Sequence, residues 1–322
     1  MDHVLELRGV TKQFPGHRAV DEVSLGLDRG SLFSLLGPSG CGKTTILRLV
    51  GGFEDPTSGE IVLNGRVINR LRPYERNVST VFQNYALFPH LTVRGNIEFG
   101  PRRHGMADHE RRLRDVLELV RLTGKESRYP AALSGGERQR TALARSLVVE
   151  PDVLLLDEPL AALDPNLRQQ VRAELRGLQR RVGITFLLVT HDQEEALELA
   201  DQIGVMNQGR LEQVGPPREV YLRPRSRFVA GFLGAVNWIN GIGVRPEATR
   251  ISLDPPGNAL RSVPAQVTRT VFLGHSMRVE TRLEGGATAV VEVSRLDGGF
   301  AAGQRVHLWW EPSDEMEFGD GA

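Results

Sequence analysis

The feature that most constrains this chain is a glycine-rich run between a short apolar segment and a helical one. Its pattern is G-x-x-x-x-G-K-T, and it comprises Gly37, Pro38, Ser39, Gly40, Cys41, Gly42, Lys43 and Thr44. It follows the apolar residues 32–36 and precedes the helical pattern 45–50. Glycines let successive backbone N–H groups face an anion, and the following helix points its positive dipole end at the same place. The run therefore predicts a phosphate-binding loop in which Lys43 reaches the β and γ phosphates and Thr44 places its hydroxyl on Mg²⁺.

The loop lies within an alternation of strand-like and helical patterns. Apolar runs at 5–10, 32–36, 153–156 and 184–190 alternate with helical patterns, of which the clearest cover 108–122 and 165–182. Such alternation is typical of an α/β fold with a parallel sheet covered by helices. Asp164 is predicted to be the N-cap of the second helix, because proline is well tolerated at the following position.

The pattern changes after about residue 236. Segments at 265–273, 277–283 and 288–293 alternate apolar and polar residues and are separated by glycine-containing turns. These segments predict a small antiparallel β domain. We therefore divide the chain into a larger α/β domain over 1–235, with a helical subdomain at about 84–150, and a small β domain over 236–322.

Composition excludes several classes of protein. The 322 residues are 40% hydrophobic and 25% charged, as in ordinary globular proteins, and their net charge of zero does not suggest a nucleic-acid partner. The apolar runs are shorter than the roughly 20 residues of a membrane helix, so any membrane role is expected to be peripheral.

Residues 1–30 lack an apolar signal core, and the single cysteine, Cys41, has no partner for a disulfide. We expect a cytoplasmic protein, with Cys41 as a small packing residue.

Two acids end the predicted strand 153–156. In open α/β sheets this edge binds ligands, so Asp157 suits a hold on Mg²⁺ and Glu158 suits a base that deprotonates water for attack on the γ phosphate. Two acids after a strand more often form a surface turn or a helix cap. The phosphate loop upstream makes the catalytic interpretation the better one.

A second predicted anion site identifies a family. Ser134, Gly135 and Gly136 open a helical run upstream of the acids, within the segment LSGGERQ. This segment resembles the signature motif of the ATP-binding-cassette (ABC) class, and the resemblance extends over roughly the first 235 residues. In that class, the signature of one subunit closes over ATP held by the phosphate loop of another. The resemblance thus implies a homodimer that binds ATP and Mg²⁺, with residues 37–45, including Thr45, and the signature contacting nucleotide.

Other markers of the class follow in its order. Gln83 matches the glutamine that touches Mg²⁺ and couples to a membrane partner, and Asp164 matches the loop that crosses the dimer interface. His191 matches the switch histidine at the γ phosphate. Phe14 matches the aromatic residue that stacks on adenine, although a core-packing role for it stays open.

The C-terminal segments favour one branch of the class. Residues 244–247 and 271–275 resemble the oligosaccharide-binding-like domain of importer motors for maltose, polyamines, sulfate, ferric iron or phosphonates, and Val306–Trp310 leans towards the branches other than sugar. This chain departs from that group in one respect, because fewer residues separate Asn237 from Val244 than is usual in the relatives. The resemblance implies a peripheral importer motor on the cytoplasmic face of the membrane, with permease subunits and an extracytoplasmic substrate-binding protein as partners. An exporter motor and a soluble ABC ATPase acting on DNA or ribosomes remain alternatives.

Overall fold

The computed structural model describes residues 3–161, 165–257, 261–295 and 299–318, of which 165–167 are described by their backbone alone. The predicted interface loop 162–164, including Asp164, lies outside the described residues. The chain divides into two compact units, Met1–Pro217 and Arg218–Ala322. The boundary at 235/236 rests on sequence composition and stays a prediction.

The first unit contains two sheets and their covering helices. Its strands are β1 (His3–Phe14), β2 (His17–Asp28), β3 (Leu32–Leu36), β4 (Ser58–Leu63), β5 (Arg66–Val67), β6 (Val78–Val81), β7 (Val153–Asp157), β8 (Thr185–Thr190), β9 (Gln202–Asn207) and β10 (Arg210–Gly215). Its helices are α1 (Lys43–Gly51), α2 (Val93–Arg103), α3 (His109–Leu119), α4 (Gly135–Leu147), α5 (Pro165–Val182) and α6 (Gln193–Leu199).

The larger sheet sets the position of the site. Its strand order is β10-β9-β3-β8-β7-β6, and every neighbouring pair is parallel except β10 with β9. Strands β3 and β8 are buried at every position, as expected for central strands covered on both faces. The α/β class predicted from the sequence is confirmed. Because parallel strands share a direction, the carboxyl ends of β3, β6, β7 and β8 lie along one edge.

The smaller sheet shares the hydrophobic core of this unit. It is antiparallel, in the order β2-β1-β4-β5. Leu5 and Ile61 from this sheet belong to the same buried cluster as Leu35 and Leu187 from the larger sheet and Ile46 from α1. The helix that follows the glycine-rich run is thus packed between two sheets, which fixes the position of its first turn.

Two predicted helices correspond closely to observed ones. Helix α5 has the predicted bounds, and α3 begins after Asp108 but ends at Leu119 instead of residue 122. The earlier end follows from Arg121, whose φ of +56° is left-handed and does not continue a right-handed helix. Helices α2, α3 and α4 all lie between β6 and β7 in the chain.

The second unit contains two short helices and a small antiparallel β domain, and of these the β domain was predicted from the sequence. Its elements are α7 (Pro217–Leu222), α8 (Arg227–Phe232), β11 (Asn237–Ile239), β12 (Ile242–Val244), β13 (Arg250–Ser252), β14 (Arg261–Phe272), β15 (Ser276–Leu283), β16 (Thr288–Ser294) and β17 (Arg305–Trp310). The main sheet has the order β13-β17-β14-β15-β16. A tight turn with Asn240 and Gly241 at positive φ joins β11 to β12 and accounts for the short span after Asn237.

A buried arginine fastens the short helices to the β domain. Arg245 follows β12, is 4% exposed, and donates hydrogen bonds to the carbonyl oxygens of Ala230 (2.9 Å), Ala235 (3.1 Å) and Tyr221 (3.2 Å). Its guanidinium also lies 4.2 Å from the centre of the Tyr221 ring. The Arg-Pro-Glu segment at 245–247 therefore has a structural role in this unit.

Within the described ranges, no helix has the length and apolar character to cross a bilayer.

Candidate nucleotide-binding site

The glycine-rich run forms a tight loop between β3 and α1. A Cβ on Gly37 would lie 2.4 Å from the carbonyl oxygen of Met206, and one on Gly42 would lie 2.3 Å from that of Ala19, so a side chain fits at neither position. The Lys43 ammonium group curls back over the loop and donates to the carbonyl oxygens of Gly37 (2.7 Å) and Pro38 (2.9 Å). The sequence motif thus forms the compact loop that phosphate binding requires.

Cys41 lies inside this loop. Its side chain is 4% exposed and belongs to the main hydrophobic cluster, and burial raises the pKa of its thiol. Its Sγ is 3.7 Å from the Lys43 Nζ. The packing role expected for this residue agrees with its position.

Two polar residues from neighbouring parts of the fold meet at the end of the loop. The Thr44 Oγ1 is 3.5 Å from Oδ1 of Asp157, the last residue of β7. Burial, and then the nearby Glu158 carboxylate, raise the pKa of Asp157, whereas Thr44 and the cations Arg48 and Lys43 oppose that rise. A divalent cation beside these groups would favour the ionised carboxylate.

The side chain of Glu158 contacts residues that follow two other strands of the larger sheet. Its carboxylate lies 3.0 Å from Nδ1 of His191, at the end of β8, and 3.5 Å from Nε2 of Gln83, which follows β6. Its backbone has a left-handed φ of +45° and donates from N to the carbonyl oxygen of Val189 at 2.9 Å. Non-glycine residues with such φ values cluster at functional sites. Gln83, Glu158 and His191, predicted separately from the sequence, therefore share one edge with Thr44 and Asp157.

The predicted signature lies at another helix N-terminus. Ser134 caps α4 by accepting from the backbone N–H of Glu137 at 3.2 Å, and Glu137 in turn accepts from the N–H of Ser134 at 2.7 Å. The ammonium of Lys125, followed by that Ser134 N–H, lowers the pKa of Glu137 to about 2. Gly135 and Gly136 form the first turn of the helix. Among the hydrogen bonds of the described residues, none joins Ser134 to the phosphate loop.

Phe14 ends β1 and is partly buried. Its ring stacks on His17 at 5.5 Å between centroids, with Lys12 Nζ 4.9 Å from the ring centre. The strand that follows brings Ala19 against Gly42. The contact of Phe14 with adenine stays a prediction.

A buried acid, not predicted from the sequence, lies beside this edge. Glu195 lies in α6, is 2% exposed, and accepts a hydrogen bond of 2.6 Å from Oγ1 of Thr190. An acid three residues after a helix cap was the one available signal, since Asp192 caps α6 by accepting from the Glu195 N–H.

A phosphate loop at the end of one central strand and paired acids at the end of a nearby parallel strand define a class, the phosphate-loop nucleoside triphosphatases. Family comparisons narrow this class. The family described as ABC transporter matches residues 20–161, and the TOBE domain family matches residues 242–318.

Curated relatives cover nearly the whole chain. The spermidine/putrescine import ATP-binding protein PotA of Acidothermus cellulolyticus is 44% identical over 355 residues, covering 96% of this chain and 92% of the relative. The sulfate/thiosulfate import ATP-binding protein CysA of Synechococcus elongatus is 46% identical over 309 residues, covering 90% and 89%. Among solved structures, cbiO1 of Clostridium perfringens, part of the ABC transporter complex cbiONQ, aligns with a TM-score of 0.63 and 29% identity over 68% of this chain and 91% of that one.

The chain belongs to the ABC transporter family, as an ATP-hydrolysing subunit with a C-terminal TOBE domain.

Proposed function

We propose that this chain is the motor of an importer, in which two copies bind ATP and Mg²⁺, close over them and drive partner permease subunits between access states. The observation that carries the proposal is the convergence of Thr44, Asp157, Gln83, Glu158 and His191 on one sheet edge through contacts of 3.0–3.5 Å. Binding of nucleotide would drive the conformational shift, and hydrolysis would reset it.

The donor set at this edge fits Mg²⁺. The Thr44 hydroxyl, the Asp157 carboxyl and the Gln83 side-chain amide offer the oxygen ligands that this ion prefers. Burial and the neighbouring Glu158 carboxylate raise the pKa of Asp157, and a cation at this position would oppose that rise. When bound, the ion would neutralise developing charge on the β and γ phosphates.

The residues of the chain divide the remaining work. Lys43 and the backbone N–H groups of residues 37–45 would hold the phosphates of ATP, and Phe14 would stack on the adenine. Glu158 would accept a proton from the attacking water, while His191, held on the Glu158 carboxylate, would contact the γ phosphate. Glu158 follows β7 at the sheet edge where the phosphate loop follows β3, and its left-handed backbone is of the kind that clusters at functional sites, which supports this role.

Each site would need two chains. Ser134–Gly136 present the N-terminus of α4, an anion-binding feature, at a position with no described hydrogen bond to the chain's own phosphate loop. A second copy, arranged head to tail, would bring its signature to the nucleotide. Asp164 would lie at that interface.

A cavity of about 580 Å³ in the first unit supports a permease partner. It is lined by Tyr74, Phe82, Phe88 and Phe99, of which Tyr74 is 65% exposed and Phe99 46%. Exposed apolar surface with a polar rim marks protein interaction sites. We propose that a helix of the permease docks here, which would hold the chain at the cytoplasmic face of the membrane.

The relatives support import over the exporter and soluble alternatives, because their names describe import ATP-binding proteins. They also keep the substrate open between a polyamine and an anion such as sulfate. Ferric iron and phosphonate remain within the predicted group. The motor would not touch the solute, which a substrate-binding protein would deliver to the permease.

The variant Glu158→Gln tests the ATPase mechanism. It should bind ATP like the wild type, form a dimer with Mg²⁺ and ATP on size exclusion, and lose hydrolysis by about 100-fold or more, since the amide cannot accept the proton. Hydrolysis at the wild-type rate would contradict the assignment of Glu158 as base.

The variant Phe99→Glu tests the partner. It should abolish co-purification of the permease subunits while leaving ATP hydrolysis by the isolated chain intact. Phe272→Glu is the matched control, because Phe272 is also an exposed aromatic residue, in the second unit. Co-purification with ribosomes or nucleic acid, and not with permease, would favour the soluble alternative.

A further inference from the structure

Glu195 is a buried acid connected to the residues on both sides of His191. Its Oε2 accepts a hydrogen bond of 2.6 Å from Oγ1 of Thr190, which is itself 2% exposed. The same Oγ1 accepts a hydrogen bond of 3.0 Å from the backbone N–H of Asp192. A hydroxyl has a single proton, and here Glu195 receives it, so the hydroxyl oxygen is free to accept from Asp192.

The two bonds restrain the backbone that carries the imidazole. Thr190 precedes His191 and Asp192 follows it, so both neighbours are attached to one hydroxyl that Glu195 orients. The His191 side chain is 54% exposed and has little packing of its own to hold it. Its position on Glu158, at 3.0 Å, therefore depends on the backbone at its base.

The charged groups around Glu195 complete this support. Asp192 caps α6 through Oδ1, and its Oδ2 lies 3.2 Å from both Arg168 and Arg172. Arg172 also meets Glu194 and Glu198, but their side chains are 84% and 45% exposed, so solvent screens these two pairs and the support does not depend on them. These arginines hold Asp192 from outside while Glu195 holds Thr190 from inside. A cavity of about 60 Å³ is lined by Glu195 together with Glu158, Thr190 and His191, which places the acid directly behind the reacting groups.

We propose that Glu195 is a positioning residue for ATP hydrolysis, which acts through Thr190 to hold the His191 imidazole on the Glu158 carboxylate. The inference rests on the proposed roles of Glu158 and His191. What Thr190 needs from residue 195 is a hydrogen-bond acceptor, and a glutamine supplies one as well as a glutamate does.

The first test compares three substitutions on α6 in the full chain. Glu195→Ala should lower kcat for ATP by about 10- to 100-fold, with KM within about threefold, because misplacement of a catalytic group affects the chemical step. Glu195→Gln should stay within about threefold of wild type. Glu194→Ala, on the exposed face of the same helix, is the matched control and should leave kcat unchanged. Wild-type kcat in Glu195→Ala, or equal losses in Glu195→Gln and Glu195→Ala, would overturn the proposal.

The second test removes the other end of the hydrogen bond. Thr190→Val keeps the shape of the side chain but neither donates to Glu195 nor accepts from Asp192, so it should lose kcat as Glu195→Ala does. Thr190→Ser should restore it. The double variant Thr190→Val/Glu195→Ala should be no slower than the slower single one, because both act through one contact. Additive losses would overturn the proposal even if a single variant folds poorly.

A histidine variant separates this inference from the proposed mechanism. In a His191→Ala background, Glu195→Ala should cause no further loss of kcat. A full further loss would show that Glu195 acts elsewhere, while the role of His191 would stand. Normal hydrolysis by His191→Ala alone would instead contradict the proposed mechanism itself, and with it this inference.

Discussion

The His191 imidazole lies 3.0 Å from the Glu158 carboxylate, although β8 and β7 that carry them are separated by a long stretch of chain. The pairing depends on β7 and β8 being parallel neighbours whose ends lie level, with Asp157 opposite Val189. A proton acceptor and an imidazole in this arrangement can act together on one water and one phosphate.

Replacement of the imidazole should therefore remove catalysis and leave binding. We expect His191→Ala to lower kcat for ATP hydrolysis by about 100-fold, with the Kd for ATP changed by less than about threefold. Steady-state hydrolysis and nucleotide titration would measure the two constants. His275→Ala, an exposed histidine of the second unit, should change neither. A Kd that rises in parallel with the loss of kcat would show that His191 binds substrate and does not act in catalysis.

Mixed dimers should recover activity if each site uses two chains. Ser134→Arg places a bulky cation at the N-terminus of α4 and should inactivate the signature, while His191→Ala inactivates the phosphate-loop side. In a mixture of these two inactive chains, roughly a quarter of wild-type hydrolysis should return, because random pairing gives heterodimers with one intact site.

The control for that mixture pairs two defects on the same side. His191→Ala mixed with Glu158→Gln leaves no intact site in any dimer, so hydrolysis should stay absent. If the first mixture also stays inactive although chain exchange is demonstrated, each chain would complete its own site.

Loss of the buried guanidinium should destabilise the second unit. Arg245→Met removes the donor to three main-chain carbonyls and should lower the free energy of unfolding of this unit by about 2–5 kcal/mol. Arg245→Lys should recover only part of this loss, because an ammonium cannot reproduce the fork of the guanidinium. Calorimetry of the full chain would report the transition. An unchanged profile would contradict the role assigned to Arg245.

The stability of the first unit should depend on pH through Glu195. Burial, opposed by the Thr190 hydrogen bond, raises the pKa of Glu195 from 4.5 to about 7. The folded state thus favours the neutral acid, whose stabilisation is complete below pH 4.5 and is lost as the pH rises to about 7. The free energy of unfolding of Glu195→Gln, relative to that of wild type, should therefore increase by roughly 2 kcal/mol as the pH rises from 5 to 8.

Denaturant unfolding of both proteins at the two pH values would measure this difference. Glu194→Gln should behave like wild type, since the Glu194 side chain is 84% exposed. A constant difference between Glu195→Gln and wild type across the range would show that Glu195 has an ordinary pKa.

The loop and the strand ends were predictable from the sequence because their signals are local. The apolar run 32–36 and the glycines after it identify a strand and a tight loop, and the rule for parallel strands then places Asp157 and His191 at the same edge. The end of α3 was predicted at residue 122 instead of Leu119, since a left-handed Arg121 has no signal in a helical pattern of apolar residues.

Glu195 and Arg245 were missed for a different physical reason. An acid in the first turn of a helix is an ordinary response to the helix dipole, so the sequence does not distinguish an exposed Glu194 from a buried Glu195. The burial of Glu195 follows from the packing of α6 beneath β3 and β8. Likewise, the carbonyls that hold Arg245 belong to residues 10 to 24 positions away.

The contact between Arg145 and the segment after Gln83 has a mechanical consequence. Arg145, in the last turn of α4, donates to the carbonyl oxygens of Ala86 (2.7 Å) and Tyr85 (2.9 Å), two consecutive left-handed residues. Ser134 caps the opposite end of the same helix, about 20 Å away for 13 residues. A helix of this length is stiff. In the proposed dimer, a displacement of Ser134 by the nucleotide of a partner subunit would therefore also displace Arg145 and the segment that follows Gln83. Helix α4 would then transmit movement from the signature to the aromatic cavity, which Arg145 helps to line.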